Sequence, residues 1–207
     1  MKEKKIVIFD FDGTIVDSKA VYYNAILSNL IVLGLNRNEI IKAIEKGRNL
    51  KQTVGMFFSS RFKIWRITRR IRKAVLKEVK NVRKCKDIDS IKEIRVRKIL
   101  VSNSINDFAK PVLVKLGLKD FFDEAYYGDD FSDKAEFIRE YINKNKIAKI
   151  DTYYVGDRVA DVAVAERAQC NSIIVSGKCS WDDRKEILNA EPDFVVEDIK
   201  DIKEIVD

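Results

Sequence analysis

Residues 5 to 18 read Lys5-Ile6-Val7-Ile8-Phe9-Asp10-Phe11-Asp12-Gly13-Thr14-Ile15-Val16-Asp17-Ser18. Ile6–Phe9 is a continuous apolar run rich in β-branched residues, without polar alternation. That is the pattern of a strand buried on both faces, as in a parallel sheet. The run ends in two aspartates spaced two apart, followed by Gly13. Two carboxylates therefore stand at the carboxyl end of a strand, where open α/β sheets carry their chemistry. One of such a pair can attack an electrophile while it also binds a hard cation, and the other can give and take a proton. Gly13 allows a sharp turn that exposes backbone amides. Solvated aspartates at an ordinary turn would spell the same letters, so the rest of the chain has to decide.

Working outward, similar short runs recur at Lys98–Val101, Ala125–Tyr127, Thr152–Val155, Ser172–Val175 and Phe194–Val196. Helical patterns lie between them at Ile105–Leu116, Lys134–Asn143, Asp161–Ala168 and Asp182–Asn189. Strands alternating with helices predict a doubly wound, Rossmann-like α/β core with a parallel sheet. Residues Lys19 to Lys86 break the alternation. They read as Ala20–Val32, a helix capped by Asn36 and ending near Gly47, Leu50–Phe58, and a long basic helix. In the last, Ile64, Ile67, Ile71, Val75, Val79 and Val82 recur at a mean spacing near the helical period. The expected organisation is an α/β core of residues 1–17 and 87–207, with an all-helical insert of residues 18–86.

The chain has 207 residues, 40 Lys+Arg, 33 Asp+Glu and no His, a formal net charge of +7. Arg61 to Lys86 holds twelve of the basic residues and one acid, Glu78, so the remainder has 28 basic against 32 acidic residues. A mildly acidic protein with one basic insert differs from a uniformly basic nucleic-acid-binding domain. Without histidine there is no Ser-His-Asp triad, no Cys-His dyad and no His-ligated zinc. Acid–base work falls to carboxylates, Lys, Tyr or Cys. The three cysteines, Cys85, Cys170 and Cys179, show no CxxC spacing. That predicts neither a disulfide framework nor a zinc ribbon, and favours a reducing cytosol. Ile6–Phe9 is too short for an export signal, and Val21–Leu35 is too short and too interrupted to span a bilayer. The expected location is cytoplasmic.

Asp10-Phe11-Asp12-Gly13-Thr14 with Asp17-Ser18 resembles the first motif of the haloacid dehalogenase superfamily of phosphohydrolases. Lys98-Ile99-Leu100-Val101-Ser102-Asn103-Ser104 resembles the second, an apolar strand ending in a phosphoryl-binding hydroxyl. Lys134 stands where the third-motif lysine is expected, after Asp129-Asp130. Val155-Gly156-Asp157-Arg158-Val159-Ala160-Asp161 is similar to the fourth motif in its GDxxxD form. Phe121-Phe122-Asp123 and Glu191-Pro192-Asp193-Phe194-Val195-Val196 also look like that family. The chain departs from the usual pattern in Lys134-Ala135, where Lys-Pro is frequent. It departs again in Ala168-Gln169, where Ala-Gly is usual, and in lacking a Pro-Gly lead-in to the second-motif strand.

The resemblance implies a phosphatase, most similar within the family to the phosphoglycolate phosphatases, acting through an aspartyl-phosphate. Asp10 is the implied nucleophile and Asp12 the acid–base. Ser102, Lys134 and backbone amides near Phe11, Gly13 and Asn103 are implied to hold the phosphoryl oxygens, with Thr14 ordering the loop. Clustered carboxylates repel unless a cation intervenes, and Mg²⁺ takes oxygen ligands and bridges to phosphate. The family implies ligation by Asp10, Asp157 and the backbone carbonyl of Asp12, with Asp161 supporting the site. The insert corresponds to the first, mainly helical type of cap, which favours a small phosphorylated metabolite over a polymer. Arg48 in Gly47-Arg48-Asn49 is a candidate to reach an anionic substrate group. Arg61–Lys86 is expected to pack its apolar stripe and solvate its charges, with docking on nucleic acid or an anionic membrane the less favoured reading. Two other functions stay open. One is a phosphomutase of the β-phosphoglucomutase kind, and the other a nucleic-acid-end phosphatase or binding protein.

Overall fold

A computed structural model of the protein describes residues 5–46 and 49–207. In chain order it contains β1 (Ile6–Phe9), β2 (Val16–Asp17), α1 (Lys19–Ile31), α2 (Arg37–Lys46), α3 (Leu50–Gly55) and α4 (Arg61–Lys77). There follow β3 (Arg83–Lys84), β4 (Arg97–Val101), α5 (Asn106–Leu116), β5 (Glu124–Tyr126) and α6 (Lys134–Asn145). The chain closes with β6 (Thr152–Gly156), α7 (Val159–Ala168), β7 (Asn171–Val175), α8 (Arg184–Asn189), β8 (Phe194–Val196) and α9 (Ile202–Val206).

Six strands form one parallel sheet in the order β5-β4-β1-β6-β7-β8. The six apolar runs of the sequence are these six strands. They read as continuous because helices cover the sheet on both faces, so neither side of a strand needs polar residues. Every residue of β1 is at most 1 % exposed. The chain winds from β1 to β4 and β5, then returns to β6 on the other side of β1. Open α/β sheets bind ligands at such a reversal, beside the carboxyl ends of the strands. The register decides which residues meet there. Phe9 pairs with Leu100 on one side and Val155 on the other, so Asp10, Ser102 and Asp157 all emerge at one edge.

On one face of the sheet, Ile6, Ile8, Ile99, Val101 and Tyr154 pack with Ile138 and Ile142 of α6 and Ala165 and Ala168 of α7. Helix α7 ends at Gln169, which takes a left-handed conformation at φ 62°. This is the position where the sequence lacks the usual glycine, and Gln169 adopts the glycine conformation regardless.

The chain divides into two compact units, residues 18–82 and the remainder. In the helical unit α1 and α4 pack together, and Leu30, Ile40, Val54, Ile71 and Val75 are buried. Asn36 accepts from the Asn38 amide at 2.8 Å, Asn49 caps α3 and Ser60 caps α4. The basic segment is not one helix to Lys86. Helix α4 stops at Lys77, a 3₁₀ turn follows at Val79–Asn81, and β3 pairs antiparallel with β2. Val82 is fully buried all the same, so the apolar spacing outlasts the helix and made it read as longer. Arg83–Lys86 accordingly lies in the sheet-containing unit.

A second correction concerns the cysteines. Cys85 and Cys179 form a disulfide with Cα atoms 5.9 Å apart and 94 positions between them in sequence, leaving Cys170 free. Spacing along the chain cannot show that the segment after β3 meets the loop after β7. No described helix is long and apolar enough to cross a membrane.

Candidate active site

Asp10 leaves the end of β1, its amide donating to the Val155 carbonyl at 2.8 Å. Asp157 follows β6, and Asp161 sits in the first turn of α7. One carboxylate oxygen from each of these three residues lies within 4.8 Å of the others. Lys134 is the first residue of α6, a helix capped by Asp133, whose carboxylate accepts from the Glu136 amide at 3.0 Å. The cap fixes where the helix starts and so aims Lys134 inward, where its Nζ donates to Asp10 Oδ1 at 2.8 Å.

Tyr154 links the two halves of the cluster. Its hydroxyl accepts from Lys134 Nζ at 2.8 Å and donates to Asp161 Oδ1 at 2.9 Å. Asp161 Oδ2 accepts from the amides of Asp157 at 3.1 Å and Arg158 at 3.0 Å, closing the first turn of α7. Both Asp161 oxygens thus have protein partners. Asp157 accepts from Thr14 Oγ1 at 3.2 Å and from the Trp181 amide at 2.7 Å. Ser180 Oγ donates to the Asp157 carbonyl at 2.7 Å. The packing leaves no room at Gly13, which has φ 81°: an added Cβ would collide with Asp157 Oδ2 and Trp181. At Gly156 a Cβ would collide with the Asp161 carboxylate.

The electrostatics follow from burial. Asp10 is raised from 3.8 to about 6, chiefly by burial, with Lys134 opposing and Asp161 and Asp12 adding to the shift. Asp157 is raised well above the usual carboxylate range by burial, then by Asp161 and Asp10. Burial alone would lower the Lys134 ammonium, yet Asp10, Asp161 and Asp12 hold it above its ordinary value. Tyr154 is raised well above its usual range, by burial first and then by Asp10 and Asp161, so it stays a neutral bridge. Buried carboxylates in excess of one ammonium call for a further cation. Three hard oxygen donors and no histidine fit Mg²⁺ better than zinc or copper.

The other expected site residues fall as follows. Asp12 is half-buried beside the cluster, with the Ser104 hydroxyl donating to its Oδ2. Its side chain lies outside the three-carboxylate group. Ser102 is fully buried, and its Oγ accepts from the Ser104 amide at 2.9 Å. Asn103 is exposed, and its carbonyl approaches Gly128 so closely that a Cβ there would collide with it. Phe11 sends its ring into the core against Phe108, 6.4 Å between centroids, so only its backbone is at the site. Thr14 turns its hydroxyl to Asp157, as a residue ordering the loop would. Arg48 lies outside the described residues. Sequence reasoning passed over Tyr154, Ser104 and the Ser180–Trp181 loop. For Tyr154 there was no distinguishing signal, since Thr152 and Tyr153 of the same strand also carry hydroxyls.

The family model described as haloacid dehalogenase-like hydrolase matches residues 7–175. The phosphoglycolate phosphatase of Vibrio cholerae serotype O1 is 31 % identical over 110 residues, which are 52 % of this chain and 48 % of that protein. That of Vibrio vulnificus strain CMCP6 is 27 % identical over 110 residues, 52 % of this chain and 47 % of that protein. The chain thus spans about half the length of the curated relatives it matches. Among solved structures, a haloacid dehalogenase-like family hydrolase from Streptococcus pneumoniae superposes with a TM-score of 0.82 over 100 % of both chains at 19 % identity. CbbY from Rhodobacter sphaeroides, in complex with phosphate, superposes with a TM-score of 0.76 over 96 % of each chain at 15 % identity.

Proposed function

The chain belongs to the haloacid dehalogenase-like hydrolase family, and from that premise we propose that it is a Mg²⁺-dependent phosphatase acting on a small phosphorylated metabolite. The observation that carries this reading is the meeting of Asp10, Asp157 and Asp161, with donor oxygens within 4.8 Å of one another, beside the Lys134 ammonium. Asp10 and Asp157, with the backbone carbonyl of Asp12, would hold Mg²⁺, and Asp161 would support them. Bound there, the ion offsets negative charge on the carboxylates and on the phosphoryl group.

Asp10 attacks phosphorus in line, forming an O–P bond as the ester P–O bond breaks. Asp12 gives its proton to the departing alcohol, and the Ser104 hydroxyl orients its carboxyl group. Water then attacks the aspartyl-phosphate, Asp12 takes a proton from it, and Asp10 is restored as phosphate leaves. Ser102, the backbone amides near Phe11, Gly13 and Asn103, and Lys134 hold the phosphoryl oxygens on which negative charge accumulates. Lys134 also positions Asp10, through the bond to Oδ1. Two of the relatives described above bear the name phosphoglycolate phosphatase, which makes phosphoglycolate the first compound to assay. A cytoplasmic setting suits such a substrate.

The test is Mg²⁺-dependent phosphate release from an aryl phosphate, then from a panel of phosphorylated metabolites. Product analysis separates hydrolysis from isomerisation of a sugar phosphate. Full activity in Asp10→Asn, or full activity in EDTA, would refute the reading.

A further inference from the structure

Helix α4 carries eight Lys/Arg and no acid. Among the described residues none of the eight makes an ion pair, although ion pairs occur elsewhere in the chain. An apolar stripe of α4 is satisfied inside the helical unit, by Ile67, Ile71 and Val75. Two large aromatics are not part of that stripe. Phe62 is 66 % exposed and Trp65 is 55 % exposed, their rings stacked with centroids 6.0 Å apart. The Arg66 guanidinium lies 5.9 Å from the Phe62 ring centre and that of Arg69 lies 5.5 Å from the Trp65 ring centre. The end of α1 adds aliphatic surface, with Ile31, Val32 and Leu33 all exposed. The two sets adjoin: Asn29 and Leu33 line a groove of about 360 Å³ together with Phe62, Lys63, Arg66, Ile67 and Arg70.

The patch occupies one end of the helical unit. The chain enters the unit at Ser18, just before α1, and leaves it at Val82, beyond α4. The patch joins the last residues of α1 to the first turns of α4. It therefore lies about 20 Å along the helix pair from both chain crossings, at 1.5 Å per residue. We propose that this end of the helical unit is a docking surface for an anionic phospholipid bilayer. Phe62, Trp65, Val32 and Leu33 enter the headgroup region, while the α4 cations meet lipid phosphates. Large apolar side chains beside uncompensated cations on one amphipathic helix are the signature of interfacial binding.

Charge and shape choose this occupant over the others. A second copy of the chain would set one uncompensated cationic face against another. A nucleic acid would use the cations, but it has no use for the aliphatic cluster at Ile31–Leu33. Lipid chains accept the aliphatic residues and the rings alike.

The full chain would be sedimented with vesicles of phosphatidylcholine, with and without phosphatidylglycerol, while Trp emission is recorded. The expected result is binding at least about tenfold tighter to the anionic vesicles, weakened by raising salt to about 0.5 M. The Trp65 emission should shift to the blue, and the shift should be absent in Trp65→Phe. Phe62→Ser/Trp65→Ser should lose most of the binding, and so should Arg66→Glu/Arg69→Glu. Both variants should keep wild-type hydrolysis of an aryl phosphate, which shows that they are folded. Three outcomes would overturn the proposal: no binding to anionic vesicles at low salt, binding that Phe62→Ser/Trp65→Ser leaves unchanged, or tight binding to a single-stranded oligonucleotide that anionic vesicles fail to displace.

Discussion

Asp10→Asn separates what Asp10 does in the chemistry from what its charge costs the fold. In the metal-free protein, burial raises the Asp10 carboxyl from 3.8 to about 6, despite the ammonium of Lys134 at 2.8 Å. The side chain is only 14 % exposed, so solvent screens the effect little. A shift of this size, at about 1.4 kcal/mol per pH unit, corresponds to roughly 3 kcal/mol. The sign is unfavourable. Between pH 3.8 and about 6 the unfolded chain has released this proton and the folded chain still holds it, so stability falls as pH rises through that window and is level above it. Asparagine removes the titration and still offers Lys134 an oxygen acceptor. The shift is already net of the attraction to Lys134, so, allowing for asparagine's imperfect replacement of the protonated carboxyl, the variant should be about 1–3 kcal/mol more stable than wild type near pH 7 without metal. Its advantage should shrink below about 1 kcal/mol near pH 4, where the folded wild type holds the proton and the unfolded chain has released only about half of it. Urea unfolding of both proteins in EDTA at the two pH values measures this. Adding Mg²⁺ should then stabilise wild type by mass action, with a much smaller effect on the variant. Equal or lower stability of Asp10→Asn near pH 7 in EDTA would refute the reasoning, as would an advantage independent of pH. In either setting the variant should be inactive.

Three further outcomes follow from the structure. Tyr154→Phe leaves Lys134 and Asp161 each short of a buried hydrogen bond. It should cost about 1–3 kcal/mol in urea unfolding and raise the Mg²⁺ concentration needed for half-maximal activity. Cys179→Ser opens a loop of 94 positions. Under non-reducing conditions it should lose about 2–4 kcal/mol of stability, and wild type with reductant should match it. Gln169→Gly should gain up to about 1 kcal/mol in thermal unfolding, because glycine takes the φ 62° conformation without a Cβ clash.

Most of the sheet was legible before any coordinates. A strand covered on both faces has to be apolar throughout, and Ile6–Phe9 and Ser172–Val175 announce themselves that way. Two-residue strands carry too few side chains for a pattern, and β2 and β3 passed unread. The end of α4 was misplaced because apolar spacing reports burial, and Val82 is buried outside any helix. The carboxylates of the site were visible because they stand in short runs, Asp10-Phe11-Asp12-Gly13-Thr14 and Gly156-Asp157 to Asp161, whose order and strand context can be read locally. Tyr154 was hidden because a buried hydroxyl in a strand is read as one more aromatic core residue.

From its order of residues alone, this chain specifies an α/β alternation, a helical interruption, and two aspartates at the end of the first strand. Those are local properties, set by period, turn chemistry and the direction in which successive side chains point. Partnership across long separations is a different matter. The pairing of Cys85 with Cys179, the Lys134–Tyr154–Asp161 bridge and the stacked, exposed Phe62 and Trp65 exist only once helices and strands are packed. A sequence lists the groups that can meet. Which ones do is decided by strand register, by the start of each helix, and by which faces the core has already filled.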